Sequence, residues 1–169
     1  MPADEDDMAN HRLPYLTAAD WALISAKSKR RVFKRGEEII RQGSVGDRIF
    51  ILRSGEASVE IAVTSKRTVV AHLRSGDICG EMAFLERGKT TAAVVAQDAE
   101  VEVDEITYSE LRDTFEALPR LASRFYHSLA VVLARRLEFT SRELANDNDK
   151  RVADRQAKLP PATGPRSSP

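Results

Sequence analysis

The chain has 169 residues, 42% of them hydrophobic, which suits one domain with a sizeable core plus tails. Lys and Arg together number 26, as do Asp and Glu, so no net field draws the protein to nucleic acid or anionic lipid. No apolar run is long enough to span a bilayer, and the acidic opening MPADEDDMAN lacks the basic and apolar regions of a secretion signal.

Residues 1–13 read as a disordered acidic segment ahead of one domain over 14–145. A first helix is expected to start at Thr17, where Asp20 completes a capping box, and to run through Trp21, Leu23 and Ile24. Prolines stand at 14 and 119 with none between, as a continuous strand ladder needs. Seven of the eight glycines fall between Gly36 and Gly88, where they punctuate short apolar runs as turn residues. The runs 31–34, 38–41, 47–54, 57–63, 68–73, 91–96 and 100–106 read as strands. Val59, Ile61 and Val63 share one face, as do Val101 and Val103. This pattern predicts a mainly β fold, a roll or barrel over about 30–106.

Thr107 and Glu110 repeat the capping-box signature ahead of Leu111 and Phe115. Pro119 suits the first turn of a long helix predicted to reach about Ala145, so C-terminal helices occupy 107–145. The tail, 146–169, offers little to bury and is expected to be disordered. A single cysteine, Cys79, cannot form an internal disulfide and agrees with a cytoplasmic protein. His11, His72 and His127 are isolated and lack metal-ligand spacing, so no metal or other cofactor is expected. No nucleophile–base pair or Walker-type loop is visible, and the chain does not read as an enzyme.

The segment CGEMAFLERGKTTAAV, residues 79–94, joins a strand, a short apolar helix and a further strand. Gly80 permits close backbone approach, and the helix start after it offers unpaired N–H groups to an anion. Glu81 supplies an acceptor suited to a diol such as a ribose. Thr90 and Thr91 add two hydroxyls on the return, and Lys89 adds a positive charge beside them. Each piece also admits a structural role. Gly80 suits a turn, Glu81 suits the helix dipole, the threonines suit strands, and Met82, Phe84 and Leu85 suit a core.

The wider pattern favours the ligand. The run Phe33–x–x–Gly36–Glu37–x–Ile39–Ile40–x–Gln42–Gly43–x–x–Gly46–Asp47, then IFILRSGEASVEI and SGDICGEMAFL, resembles the cyclic-nucleotide-binding domain. That domain is shared by catabolite activators, protein kinase A regulatory subunits and ion-channel sensors; the resemblance covers 32–106 and implies an eight-stranded, jelly-roll-like β-roll. It implies that Gly80 and Glu81 hold the ribose of cAMP or cGMP, with the amides near Met82 and Ala83 facing the cyclic phosphate. The stretch ARRLEFTS, residues 134–141, resembles the dimerisation helix of bacterial catabolite activators. That resemblance implies base contacts from Thr140 and Ser141, and a homodimer through the stripe Phe125, Leu129, Val132, Leu133 and Leu137. An ordinary exposed helix surface, or docking of the stripe on the roll, fits the same residues.

Two departures matter. The family's cassette ends with an arginine that pairs with the phosphate; Thr90 stands at that position and Thr91 takes the place of the following Ala or Ser. A planar cation is thereby replaced by a neutral hydroxyl, with Arg87 and Lys89 nearby as substitutes or as solvated loop charges. The chain also stops where the transcription factors continue into a helix-turn-helix domain, so a protein partner is expected rather than nucleic acid. Two functions result: a sensor of cAMP or cGMP, binding weakly for want of the arginine, or an interaction and dimerisation module that is empty or binds a nucleoside.

Overall fold

The computed structural model describes residues 13–157. The chain falls into two units, one ending at Val131 and one beginning at Val132. The first holds eight antiparallel strands: β1 (Lys29–Lys34), β2 (Glu38–Ile40), β3 (Arg48–Ser54), β4 (Ala57–Val63), β5 (Lys66–Leu73), β6 (Ile78–Cys79), β7 (Ala93–Ala96) and β8 (Glu100–Thr107). They form two four-stranded sheets, ordered β1-β8-β3-β6 and β2-β7-β4-β5. This is the expected β-roll. The two-residue β6 is too short to show a period of two, and Thr91 lies outside β7, which starts at Ala93.

Strand alternation sends Phe50 and Leu52 of β3, with Val101 and Val103 of β8, into the roll. There they meet Ile39, Ile40, Ala57, Leu73, Cys79, Val94 and Ala96 in one apolar cluster. The opposite face of the first sheet is closed as well, with Ile49 and Ile106 fully buried. Helices α1 (Ala18–Ser25), α3 (Tyr108–Ala117) and the start of α4 (Pro119–Ala157) bury Ile24, Leu111, Phe115, Leu121, Phe125 and Leu129. Fully burying one such side chain stabilises by about 1.5–3 kcal/mol. The buried acids of β8 are paired: Asp104 with Arg30 and Arg53, Glu105 with Arg31 and Arg48.

Both capping boxes form. Thr17 accepts from the Asp20 amide while Asp20 accepts from the Thr17 amide, and Thr107 and Glu110 repeat the exchange. The Asp20 carboxylate also takes two bonds from Arg124, at 2.6 and 2.7 Å, which fasten α1 to α4. The Tyr15 amide donates to the Ser128 hydroxyl at 3.0 Å, and the Tyr15 ring stacks on His127 with centroids 3.8 Å apart.

α4 continues to Ala157, twelve residues beyond its expected end at 145. No Gly or Pro interrupts 146–157, and exposed ion pairs such as Arg142–Glu138 support the turns of α4 that precede it. The helix thus runs through 146–157, the first part of the tail expected to be disordered, while 158–169, like the N-terminal segment 1–12 with His11, lies outside the described residues. The second unit exposes Leu137, Phe139 and Leu144 on this helix.

Candidate ligand-binding cassette

β6 hands the chain to Gly80, which sits at φ +84°, in the left-handed region. A Cβ here would also lie 2.8 Å from the Arg48 carbonyl oxygen and 3.3 Å from Ile40 Cδ1, so only glycine fits. Helix α2 (Glu81–Glu86) follows at once, with Glu81 in its first turn and 4% exposed. Ala83 and Phe84 are buried, whereas Met82 and Leu85 are exposed, so α2 presents only part of its apolar surface to the roll. The expectation that Met82 and Leu85 belong to the core fails, since a six-residue helix at the rim has one buried side. From the other side the loop before β3 presses on this helix: a Cβ on Gly46 would overlap Ala83.

The return segment is held by the turn between β2 and β3. Gly43 N–H donates to the Thr90 carbonyl at 2.8 Å and Thr90 N–H donates to the Ser44 carbonyl at 2.9 Å. Gly46 N–H donates to the Gly88 carbonyl at 2.9 Å. The Thr90 hydroxyl donates to the Arg41 carbonyl at 2.6 Å and accepts from the Ser44 amide at 3.0 Å. Thr90 was expected among the ligand-binding residues at the arginine position. Its hydroxyl closes the turn at 41–44.

The remaining expected residues are distributed as follows. Gly80, Glu81, Met82 and Ala83 are consecutive at the head of α2, and Thr91 is exposed just beyond Thr90. Lys89 is exposed and bridges to Val45 through the backbone, with no ion pair among the described residues. Arg87 is occupied otherwise: its guanidinium carbon lies 3.0 Å from the Tyr108 ring centroid, an arrangement that favours a cation over the ring face. Burial and the nearby Tyr108 hold the Tyr126 phenol above its usual pKa, opposed by Arg87. Thr140 and Ser141 belong to the second unit and are exposed, with the Thr140 hydroxyl donating to the Arg136 carbonyl one turn back at 2.9 Å. Phe125 and Leu129 of the expected dimer stripe are buried within the chain, as is Val132; Leu133 is half-buried and Leu137 exposed.

Sequence reasoning did not find Arg41, Gln42 and Ser44 as partners of the cassette. Gln42 and Gly43 stood in the recognised run for their spacing alone, and a hydrogen bond across 49 residues leaves no periodic trace. Among the described residues no group of three or more His, Cys, Asp or Glu is arranged to hold a metal, and no helix is long and apolar enough to cross a membrane.

Residues 30–117 match the family described as cyclic nucleotide-binding domain. The chain is 35% identical over 130 residues to cyclic GMP-binding protein C of Dictyostelium discoideum, covering 72% of this chain and 5% of that protein. It is 32% identical over 118 residues to the cyclic AMP receptor protein of Thermus thermophilus, covering 69% and 52%. Its fold is similar to the crystal structure of the Thermus thermophilus catabolite activator protein, with TM-score 0.65, 27% identity and coverage of 79% and 61%. It is also similar to a cyclic nucleotide-binding domain from Methylobacillus flagellatus, with TM-score 0.74, 16% identity and coverage of 84% and 85%. The chain thus spans about half or less of these curated relatives.

Proposed function

Because the chain belongs to the cyclic nucleotide-binding domain family, we propose that it is a regulatory module that binds cAMP or cGMP in the cassette at residues 80–91. The carrying observation is the head of α2, where a left-handed Gly80 pressed against the Arg48 carbonyl delivers Glu81 into a buried position. A carboxylate there accepts from a ribose diol, and the amides at Met82 and Ala83 receive the cyclic phosphate, assisted by Thr91 and Lys89. The cassette has a neutral threonine where the family has a cation, and binding is accordingly weak.

The family is regulatory rather than catalytic. We propose further that the protein pairs through α4, where Leu133, Leu137, Thr140 and Leu144 recur at alternating spacings of four and three, the seam of a coiled coil. Its output is contact with a protein partner, in the cytoplasm, since its balanced charge gives no pull towards nucleic acid or membrane. Binding acts only through different affinity for two arrangements of the protein.

Calorimetry with cAMP and cGMP tests the reading. Glu81→Ala should weaken whichever nucleotide binds by about tenfold or more, the loss of a charge-assisted hydrogen bond. Absence of binding by the unmodified protein overturns it. A second reading, an interaction module whose cassette is empty or takes a nucleoside, is favoured by the engagement of the Thr90 hydroxyl with Arg41.

A further inference from the structure

β7 pairs with β4 from Ala57↔Ala96 to Glu60↔Ala93 and no further, because the chain before Ala93 leaves the sheet towards the cassette. Two residues on, both backbone groups of Ala62 are met by one side chain. Gln42 Oε1 accepts from the Ala62 amide at 2.8 Å, and Gln42 Nε2 donates to the Ala62 carbonyl at 3.2 Å. A primary amide has the donor and the acceptor of a peptide unit, so Gln42 stands in for the missing strand residue. Without it, two part-buried backbone groups lose their partners.

Gln42 lies in the same turn that grips the return of the cassette. Arg41 and Ser44 on either side of it bond the Thr90 hydroxyl and amide, Gly43 bonds the Thr90 carbonyl, and Gly46 bonds the Gly88 carbonyl. One side chain therefore ties β4 to a turn whose other contacts fix residues 88–90.

We propose that Gln42 is a positioning residue for the cassette: by occupying both backbone groups of Ala62 it fixes the turn at 41–46 and, through it, the placement of Thr90 and Thr91. It touches no ligand. Its effect on binding rests on the cyclic-nucleotide reading above, while its effect on the turn does not.

The test compares the unmodified 169-residue chain with Gln42→Ala and Gln42→Glu, the second keeping an acceptor for the Ala62 amide. Amide hydrogen exchange without ligand comes first. Gln42→Ala should speed exchange at Ala62, Ser44 and Thr90 by about tenfold, with β8 unchanged, and Gln42→Glu should restore part of the protection. Faster exchange at Ala62 with residues 88–91 unaffected overturns the proposal. Calorimetry with cAMP and cGMP follows. Affinity should fall about five- to tenfold in Gln42→Ala and less in Gln42→Glu. Unchanged affinity in a variant whose turn exchanges faster also overturns it. If the unmodified protein binds neither nucleotide, the functional reading fails, and the exchange data still decide the role of Gln42 in the turn.

Discussion

Arg124 grips both oxygens of Asp20, Nε at 2.7 Å from one and a terminal nitrogen at 2.6 Å from the other. The Arg124 bonds, assisted by the Thr17 amide and opposed by burial, hold the Asp20 carboxyl down to about 2. A carboxylate depressed in the folded state stabilises above its unfolded pKa, and that stability disappears as pH falls through the folded value. The protein should lose about 1–2 kcal/mol from this group between roughly pH 4 and pH 2. Glu38, held down chiefly by Arg67, and Glu110, held down chiefly by the Thr17-like cap of Thr107, add losses of the same sign. Urea unfolding across this range should show a shallower acid slope for Asp20→Asn, which keeps an acceptor for the Thr17 amide but no charge. An unaltered slope would contradict the assignment.

Thr90 separates stability from affinity. Thr90→Val removes the hydroxyl without changing the shape and should cost about 1–2 kcal/mol, because the Arg41 carbonyl and the Ser44 amide both lose a partner. Thr90→Arg should incur that cost and also bring a cation to the cassette, worth about 1.5–3 kcal/mol to a bound phosphate. Calorimetry should show roughly ten- to a hundredfold tighter cyclic-nucleotide binding, with a lower melting temperature for the free protein. Unaltered affinity together with a continued effect of Glu81→Ala points to a nucleoside without phosphate.

The two close approaches at α2 should respond differently to one methyl group. Gly80→Ala meets a left-handed backbone and the Arg48 carbonyl at 2.8 Å, and should destabilise by at least about 1–2 kcal/mol. Gly46→Ala instead pushes on Ala83 and should move α2, weakening nucleotide binding more than it lowers the melting temperature. Equal binding by Gly46→Ala and the unmodified protein would show that the loop before β3 does not set the position of α2.

Light scattering should give a dimer for the unmodified protein and a monomer for Leu137→Glu. Leu137 is 69% exposed in the single chain, so a charge there has no internal packing to disrupt, and unfolding is not expected. Leu133→Glu should act in the same direction with some loss of stability, since Leu133 is half-buried. A monomeric unmodified protein rejects the seam.

The helix starts were legible because capping is local: Thr17 with Asp20, and Thr107 with Glu110, need only three residues to declare themselves. Most strands were legible through glycine turns and alternation, β1 among them, whereas the two-residue β6 is too short to alternate. Gly80 was legible as a special position, though its steric reason lies in Arg48, 32 residues earlier. The engagement of Thr90 with Arg41, of Gln42 with Ala62 and of Arg87 with Tyr108 depends on chain returning from elsewhere. The far end of α4 lies past the apolar stripe that marks its start, so hydrophobic periodicity gives no signal for where it ends.

The bond from the Tyr15 amide to Ser128 closes a span of 113 residues, and among the described residues β1 has its ladder partner in β8, more than 60 residues later. During synthesis the N-terminal part of the domain must therefore wait for nearly all of the rest. At about 5–20 residues per second that interval is roughly 6–23 s, during which the basic strand β1 and the apolar side of α1 have no native neighbour. The lysines and arginines of β1 then serve a second purpose before Asp104 and Glu105, the partners of Arg30 and Arg31, exist: a like-charged edge discourages pairing with the nascent chain of a neighbouring ribosome.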